Sequence, residues 1–445
     1  MKYAVALLSL LSNAVAQDQA QPRVVHLEPP HLATEVDATT TTLTVTFDQD
    51  MDTRSYSFCG GGPSFPRTKR GGWKDKRNCV LEVTLQPDHD YVMQLNCRSS
   101  KNFRSSTGVA ATPTPWTFST RPLNNLDVDE QRALNHRTLH QVKELLAHEY
   151  SYYERVKIDW ADLFDRNEKT ILEARSARGF AVAMGAALAP ARDLHLYLRY
   201  RNRVVATSQS EKDTLFRYGL LGKYLGEIKQ PSQGLVTART KDGIGYLLIA
   251  TWTATLDAAK VEEALTQLQS SESLIVDVRP NQGGDELIAQ QVAAWFVDGT
   301  KIYAKHVLRT GEDSFGPIQE RRVTGNKTGR RFTKPVTVLM SQANTSSNEA
   351  FLLMMRQAKK ATLVGQRSHG SSGNPKSHEL ANGVQIFIPR WKALRADGSC
   401  FEGEGITPDI HVASNPEQLK TRDPVLEKAL SLLRTEEKGS KKRLP

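Results

Sequence analysis

The sequence predicts a multidomain protein with an N-terminal β-sandwich, a helical segment and a C-terminal α/β domain. Three observations carry this reading. The chain has 445 residues, more than one ordinary core fills. Between residues 23 and 121, apolar and polar side chains alternate with period two. Between 240 and 435, short apolar runs alternate with stretches of helical period.

Residues 1–16 read as a secretory signal peptide. Lys2 precedes an apolar run from Tyr3 to Ala16 that ends in Ala14-Val15-Ala16. The run is too short to span a bilayer, no later segment is long and apolar enough, and an exported mature chain beginning near Gln17 is expected. In the 23–121 block, Leu43-Thr44-Val45-Thr46-Phe47 and Val80-Leu81-Glu82-Val83-Thr84-Leu85 alternate, and Tyr91 to Leu95 follows. Pro29-Pro30, Asp88 and the Gly60-Gly61-Gly62-Pro63 loop punctuate them, as in a small sandwich. Asp48, Asp50 and Asp52 have a spacing compatible with calcium, although capping of a turn after the strand is the simpler reading. Of the four cysteines, Cys59, Cys79 and Cys97 lie in this block, so one local bridge is expected with one thiol left over; Cys400 stands apart.

The 125–235 block starts helical. Leu139, Val142, Leu146 and Tyr150 keep a helical period, and further helices are expected over 167–177 and 180–188. After Pro190 the run from Ala191 to Leu198 reads as an alternating strand that holds His195. In the 240–435 block, strands are predicted at 246–250, 274–278, 336–340, 361–364 and 384–388. Helices are predicted at 258–268, 286–297, 348–358 and 424–433.

The net charge of +10 is dispersed, its densest cluster being the 438–445 tail, and no nucleic-acid motif accompanies it. His378-Glu379 lacks a second histidine at helical spacing, so neither a metal nor any other cofactor is expected. Asn326-Lys327-Thr328 and Asn344-Thr345-Ser346 are glycosylation sequons, informative only in a eukaryotic secretory host.

Ser346 is the most informative residue. It lies between the strand-like run 336–340 and the helix-like run 350–355, where a helix N-terminus favours developing negative charge. A serine hydroxyl needs a base to remove its proton. A histidine titrates near neutrality, and a carboxylate can fix its tautomer. Gly283 and Gly284 follow a buried strand and permit close backbone approach, and the N–H of Ser347 is a natural second donor to an oxyanion.

Four ordered motifs make the third block resemble the C-terminal-processing and tricorn group of serine peptidases. They are Asp277-Val278-Arg279-Pro280-Asn281-Gln282-Gly283-Gly284, Ser346 three residues before Glu349, Leu363-Val364-Gly365 and Gly405-Ile406-Thr407-Pro408-Asp409. The resemblance implies a ClpP/crotonase-like α/β domain that hydrolyses peptide or protein substrates through Ser346. The C-terminal-processing branch carries its lysine where Ser371 stands here, and Lys376 fits that motif poorly. The tricorn branch uses a histidine from the end of the helical segment, which matches His195, and a carboxylate that matches Glu402. That branch has a serine before the histidine, where this chain has Leu194, so the group that orients the imidazole is left open. His369 is the alternative base, and Glu404 competes with Glu402. The phrases LEPPHLATEVDATTTTLTVTFDQDMD and TPWTFSTRP resemble a bacterial Ig-like domain, which implies an accessory module suited to envelope or surface attachment. Two rival readings are a non-catalytic member of the same fold that holds an apolar ligand or peptide, and an envelope-attached structural protein.

Overall fold

The computed structural model describes residues 21–122, 126–201, 203–208, 214–326 and 330–441. The expected signal peptide lies outside the described residues. The chain divides into two compact units. One takes residues up to 133 together with 174–180, and the other takes 134–173 and 181 onward.

The first unit contains two four-stranded sheets. One runs in the order Val24–Glu28, Thr42–Phe47, Asn78–Thr84 and Arg67–Trp73; the other runs Ala33–Val36, Thr114–Thr120, Asp90–Leu95 and Phe58–Cys59. The period-two pattern does what the sequence predicts. Leu43, Val45 and Phe47 point into a core shared with Tyr91, Met93, Leu95, Trp116 and Phe118. Cys59 and Cys97 form a disulfide, and Cys79 and Cys400 are free. Asp48, Asp50 and Asp52 pair with Arg23, Arg77 and Arg54, and no group of metal-ligating side chains occurs among the described residues.

In the second unit, a seven-stranded sheet runs Lys229–Ser232, Leu235–Arg239, Gly245–Ile249, Leu274–Asp277, Val336–Met340, Ala361–Gly365 and Ile410–His411. The last five strands are parallel. Leu247, Val276, Val338 and Leu363 face one core with the helices Ala258–Leu268, Glu286–Ala293 and Ser347–Met355. Leu248, Ile275, Leu339 and Val364 face another with the helix Pro424–Lys441. Burial on both faces explains why these strands read as unbroken apolar runs. The sheet draws two strands from before residue 240.

Other elements depart from expectation. The helix expected at 167–177 spans Trp160–Leu172, because Asp159 caps it by accepting the Asp162 N–H. His195 sits in the turn before the strand Tyr197–Tyr200 rather than within it. The strand expected at 384–388 spans Gln385–Pro389 and pairs with Tyr197–Tyr200 and Pro375–Glu379, outside the main sheet. A further sheet, not anticipated, pairs Thr300–Gly311 with Gln319–Thr324 and Trp391–Arg395. No described helix is long and apolar enough to cross a membrane.

Candidate active site

Three loops leave the C-terminal ends of neighbouring parallel strands: 278–284, 341–346 and 366–373. Open α/β sheets place their ligand crevices at this end. Side chains stitch the first two loops together. Buried Asn344 donates through Nδ2 to the carbonyls of Val278 (2.7 Å), Arg279 (3.1 Å) and Asn281 (3.0 Å). Its Oδ1 accepts the Ser341 N–H at 2.8 Å. Thr345 Oγ1 donates to the Gln282 carbonyl and Ser347 Oγ to that of Gly284. Asn344 is thus a structural residue with no room for a glycan.

Ser346 precedes the helix Ser347–Met355 with φ 55° and ψ −130°, a strained backbone for a residue with a Cβ. Its side chain makes no capping hydrogen bond, and it is half-buried between buried neighbours. The Ser346 N–H donates to the Ser371 carbonyl (2.8 Å), and the Ser346 carbonyl accepts the Glu349 N–H (2.8 Å). Gly283, at φ +109°, lies so close that a Cβ there would sit 3.0 Å from Ser346 Cβ and from the Thr345 carbonyl oxygen. Gly284, at φ +137°, is wedged against the Trp252 carbonyl.

His195 and Ser346 line the same cleft of about 430 Å³, whereas His369 does not. His195 is held from two sides. Its backbone N–H donates to Asp193 Oδ1 (2.8 Å), and its Nδ1 bonds Ser371 Oγ (2.9 Å). Tyr150 OH donates to the other Asp193 oxygen at 3.0 Å. Burial, with the charge of His369 as a lesser cause, pulls the imidazole down to about 4, so it is neutral at neutral pH. A neutral imidazole is the form that accepts a proton.

The carboxylates divide among distinct tasks. Glu402 does not hydrogen-bond His195; its Oε2 accepts the Ser372 N–H (2.8 Å) and Oγ–H (3.0 Å). Burial and the neighbouring Asp193 and Glu349 push its carboxyl well above the usual range. Glu404 turns outward to Arg155 and Arg395. Buried Glu349 holds the third loop, accepting Ser368 Oγ–H (2.5 Å), Gly370 N–H (2.7 Å) and Ser371 N–H (2.9 Å). Burial raises Glu349 to about 7 and Asp193 to about 6. Lys376, on the strand Pro375–Glu379, pairs with Glu149 and does not line the cleft.

Of the expected oxyanion donors, the Gly283 N–H is already committed to Asn281 Oδ1 at 2.8 Å. Gly284 and Ser347 both line the cleft. Asp277 and Arg279 have a structural task. Arg279 is fully buried, spans Asp277 (2.7 Å) and Asp423 (2.8 Å), and also donates to the Leu215 carbonyl (3.1 Å). Asp423 accepts the Leu426 N–H at the start of the last helix, so the triad ties the sheet to that helix.

Asp193, Ser371 and Tyr150 are site residues that the sequence reading missed. An Asp two residues before a His, just after a Pro, is the signature of an Asx turn and was available. Ser371 was marked only as the residue in place of a lysine, which did not predict its contact with His195, and Tyr150 carries no such local signal.

Residues 243–412 match the family model of peptidase family S41. The chain is 25% identical over 185 residues to the carboxy-terminal processing protease CtpB of Bacillus subtilis, covering 40% of this chain and 37% of that one. It is 26% identical over 186 residues to the chloroplastic carboxyl-terminal-processing peptidase 3 of Arabidopsis thaliana, covering 40% and 34%. The chain therefore spans little more than a third of the length of either curated relative. A crystal structure of a Parabacteroides merdae protein superposes with TM-score 0.60 at 24% identity, over 68% of this chain and 96% of the other, which shows a shared fold.

Proposed function

We propose, from the premise that residues 243–412 form a peptidase family S41 domain, that this protein is an exported serine peptidase with Ser346 as nucleophile and His195 as general base. The observation that carries the proposal is the strained, uncapped Ser346 at a helix N-terminus, facing the same cleft as a neutral histidine.

In this mechanism His195 takes the Ser346 hydroxyl proton as Oγ bonds to the substrate carbonyl carbon, and the carbonyl π pair moves to oxygen. The N–H groups of Gly284 and Ser347 receive the resulting oxyanion. The imidazolium then returns the proton to the leaving amine as the C–N bond breaks. Water, deprotonated by the same imidazole, hydrolyses the acyl-enzyme and regenerates Ser346. No metal or organic cofactor takes part. Glu402 bonds the Ser372 side chain and backbone rather than the imidazole.

The cleft wall of Ala304, Ala350, Leu353, Ala393 and Phe401 suits an apolar substrate side chain. Beside it Arg321 lies 5.0 Å from the Trp391 ring and pairs with Glu286. The strand-rich N-terminal unit is read as an Ig-like accessory module for envelope or surface attachment, and residues 1–16 as its export signal. The test is cleavage of a peptide library by the purified protein, Ser346→Ala and His195→Ala. Cleavage lost in both variants supports the proposal. Cleavage that persists in Ser346→Ala overturns it.

A further inference from the structure

Ser371 stands at the centre of the site and uses each of its polar groups there. Its Oγ lies 2.9 Å from His195 Nδ1. Its carbonyl accepts the Ser346 N–H at 2.8 Å. Its own N–H donates to Glu349 Oε2 at 2.9 Å. Glu349 in turn belongs to the first turn of the helix that begins beside Ser346. The residue is 1% exposed, so water does not compete for these bonds.

We infer that Ser371 is the positioning residue of this site, setting the tautomer of His195 through its side chain and the backbone of Ser346 through its carbonyl. The inference rests on the proposed roles of Ser346 and His195.

A neutral imidazole carries one proton, and the nitrogen facing the nucleophile must be the bare one. A hydroxyl oxygen that accepts from Nδ1–H holds the proton there and leaves Nε2 free to take the Ser346 proton. Among the described residues no carboxylate bonds the imidazole: Asp193 accepts the His195 backbone N–H and the Tyr150 hydroxyl, and Glu402 bonds Ser372. The carbonyl bond to Ser346 has a second consequence. Ser346, at its positive φ, donates its N–H to the carbonyl of the same residue that orients the base, so one residue contacts both nucleophile and base.

The test is a double-mutant cycle on the second-order rate of Ser346 labelling by a fluorophosphonate, with thermal midpoints measured on every variant. Ser371→Ala is expected to slow labelling by roughly 100-fold, the cost of about 1 Å of misplacement. Ser371→Thr, which keeps the hydroxyl, is expected to recover most of the rate. In the His195→Ala background, Ser371→Ala is expected to cost nothing further, because the two residues act as one unit. The same factor lost with and without His195 would show a merely structural role and overturn the inference. So would a Ser371→Ala rate within twofold of wild type. Failure of the underlying proposal looks different: His195→Ala would itself label at the wild-type rate, or Ser346 would not label at all.

Discussion

Replacing Asn344 by Ala tests whether the 278–284 and 341–346 loops are held by one side chain. Removal of its amide leaves Val278 and Arg279 with other donors, the Asn281 N–H and Ser341 Oγ–H respectively. The Asn281 carbonyl and the Ser341 N–H lose the Asn344 contacts at 3.0 and 2.8 Å. Each buried orphan costs ~1–3 kcal/mol, so the variant should lose ~4 kcal/mol. For a domain of this size that lowers the thermal midpoint by ~10 °C. The 278–284 and 341–346 loops would also loosen around Ser346, and its labelling should slow by ~100-fold. Asn344→Asp sharpens the test. It keeps the shape and the contact to Ser341 but turns an oxygen toward three carbonyls, so it should be at least as damaging as Ala. Calorimetry and fluorophosphonate labelling on both variants read the result. A midpoint within about 2 °C of wild type for Asn344→Ala, with unchanged labelling, would refute the reasoning.

Three further predictions follow from the same physics. His195, depressed to about 4, should act as a base down to roughly that pH, so the step in labelling that disappears in His195→Ala should have its midpoint near pH 4, apart from any steps of Asp193 near 6 and Glu349 near 7; a His195-dependent midpoint near 6.5 would contradict the buried environment. The sign for stability is the same, because a depressed base contributes stability that is present above its unfolded value and lost as pH falls through the folded one. Arg279→Leu would strand the buried Asp277 and Asp423 together and cost ~3–5 kcal/mol, read as a lower urea midpoint. Arg279→Lys should recover only part, since one ammonium cannot span both carboxylates and the Leu215 carbonyl. Loss of the Cys59–Cys97 bridge, which closes a separation of 38 residues, should cost ~4 kcal/mol in the first unit on the chain-entropy account, and an unchanged unfolding transition after Cys59→Ser with Cys97→Ser would contradict it.

Much of this was legible in the chain because single strands and helices carry their own periodicity. Strand Val336–Met340 and helix Ala258–Leu268 match their expected bounds, and Ser346 falls at the strand-to-helix turn where the apolar runs placed it. Long-range pairing was not legible. The strand Gln385–Pro389 has an alternating pattern that fits any sheet, and only its partners Tyr197–Tyr200 and Pro375–Glu379 show which sheet it joins. The site divides the same way. The motif residues Ser346, Gly283 and Gly284 could be named from local sequence. Ser371 was marked by its motif only as the residue in place of a lysine, and its partnership with His195, 176 residues away, became visible only when the fold brought the two within 2.9 Å. Arg279 read as part of a reactive motif, yet its partner Asp423 lies 144 residues on and makes it a buried structural cation.

The proposed mechanism stands or falls on Ser346 as a nucleophile activated by His195. The most direct measurement is reaction of the purified protein with a fluorophosphonate probe, followed by mapping of the adduct by mass spectrometry in the wild type, Ser346→Ala and His195→Ala. One adduct is expected, on Ser346, absent from Ser346→Ala and strongly reduced in His195→Ala. A folded wild-type protein that carries no adduct, or carries it on another residue, would contradict the claim.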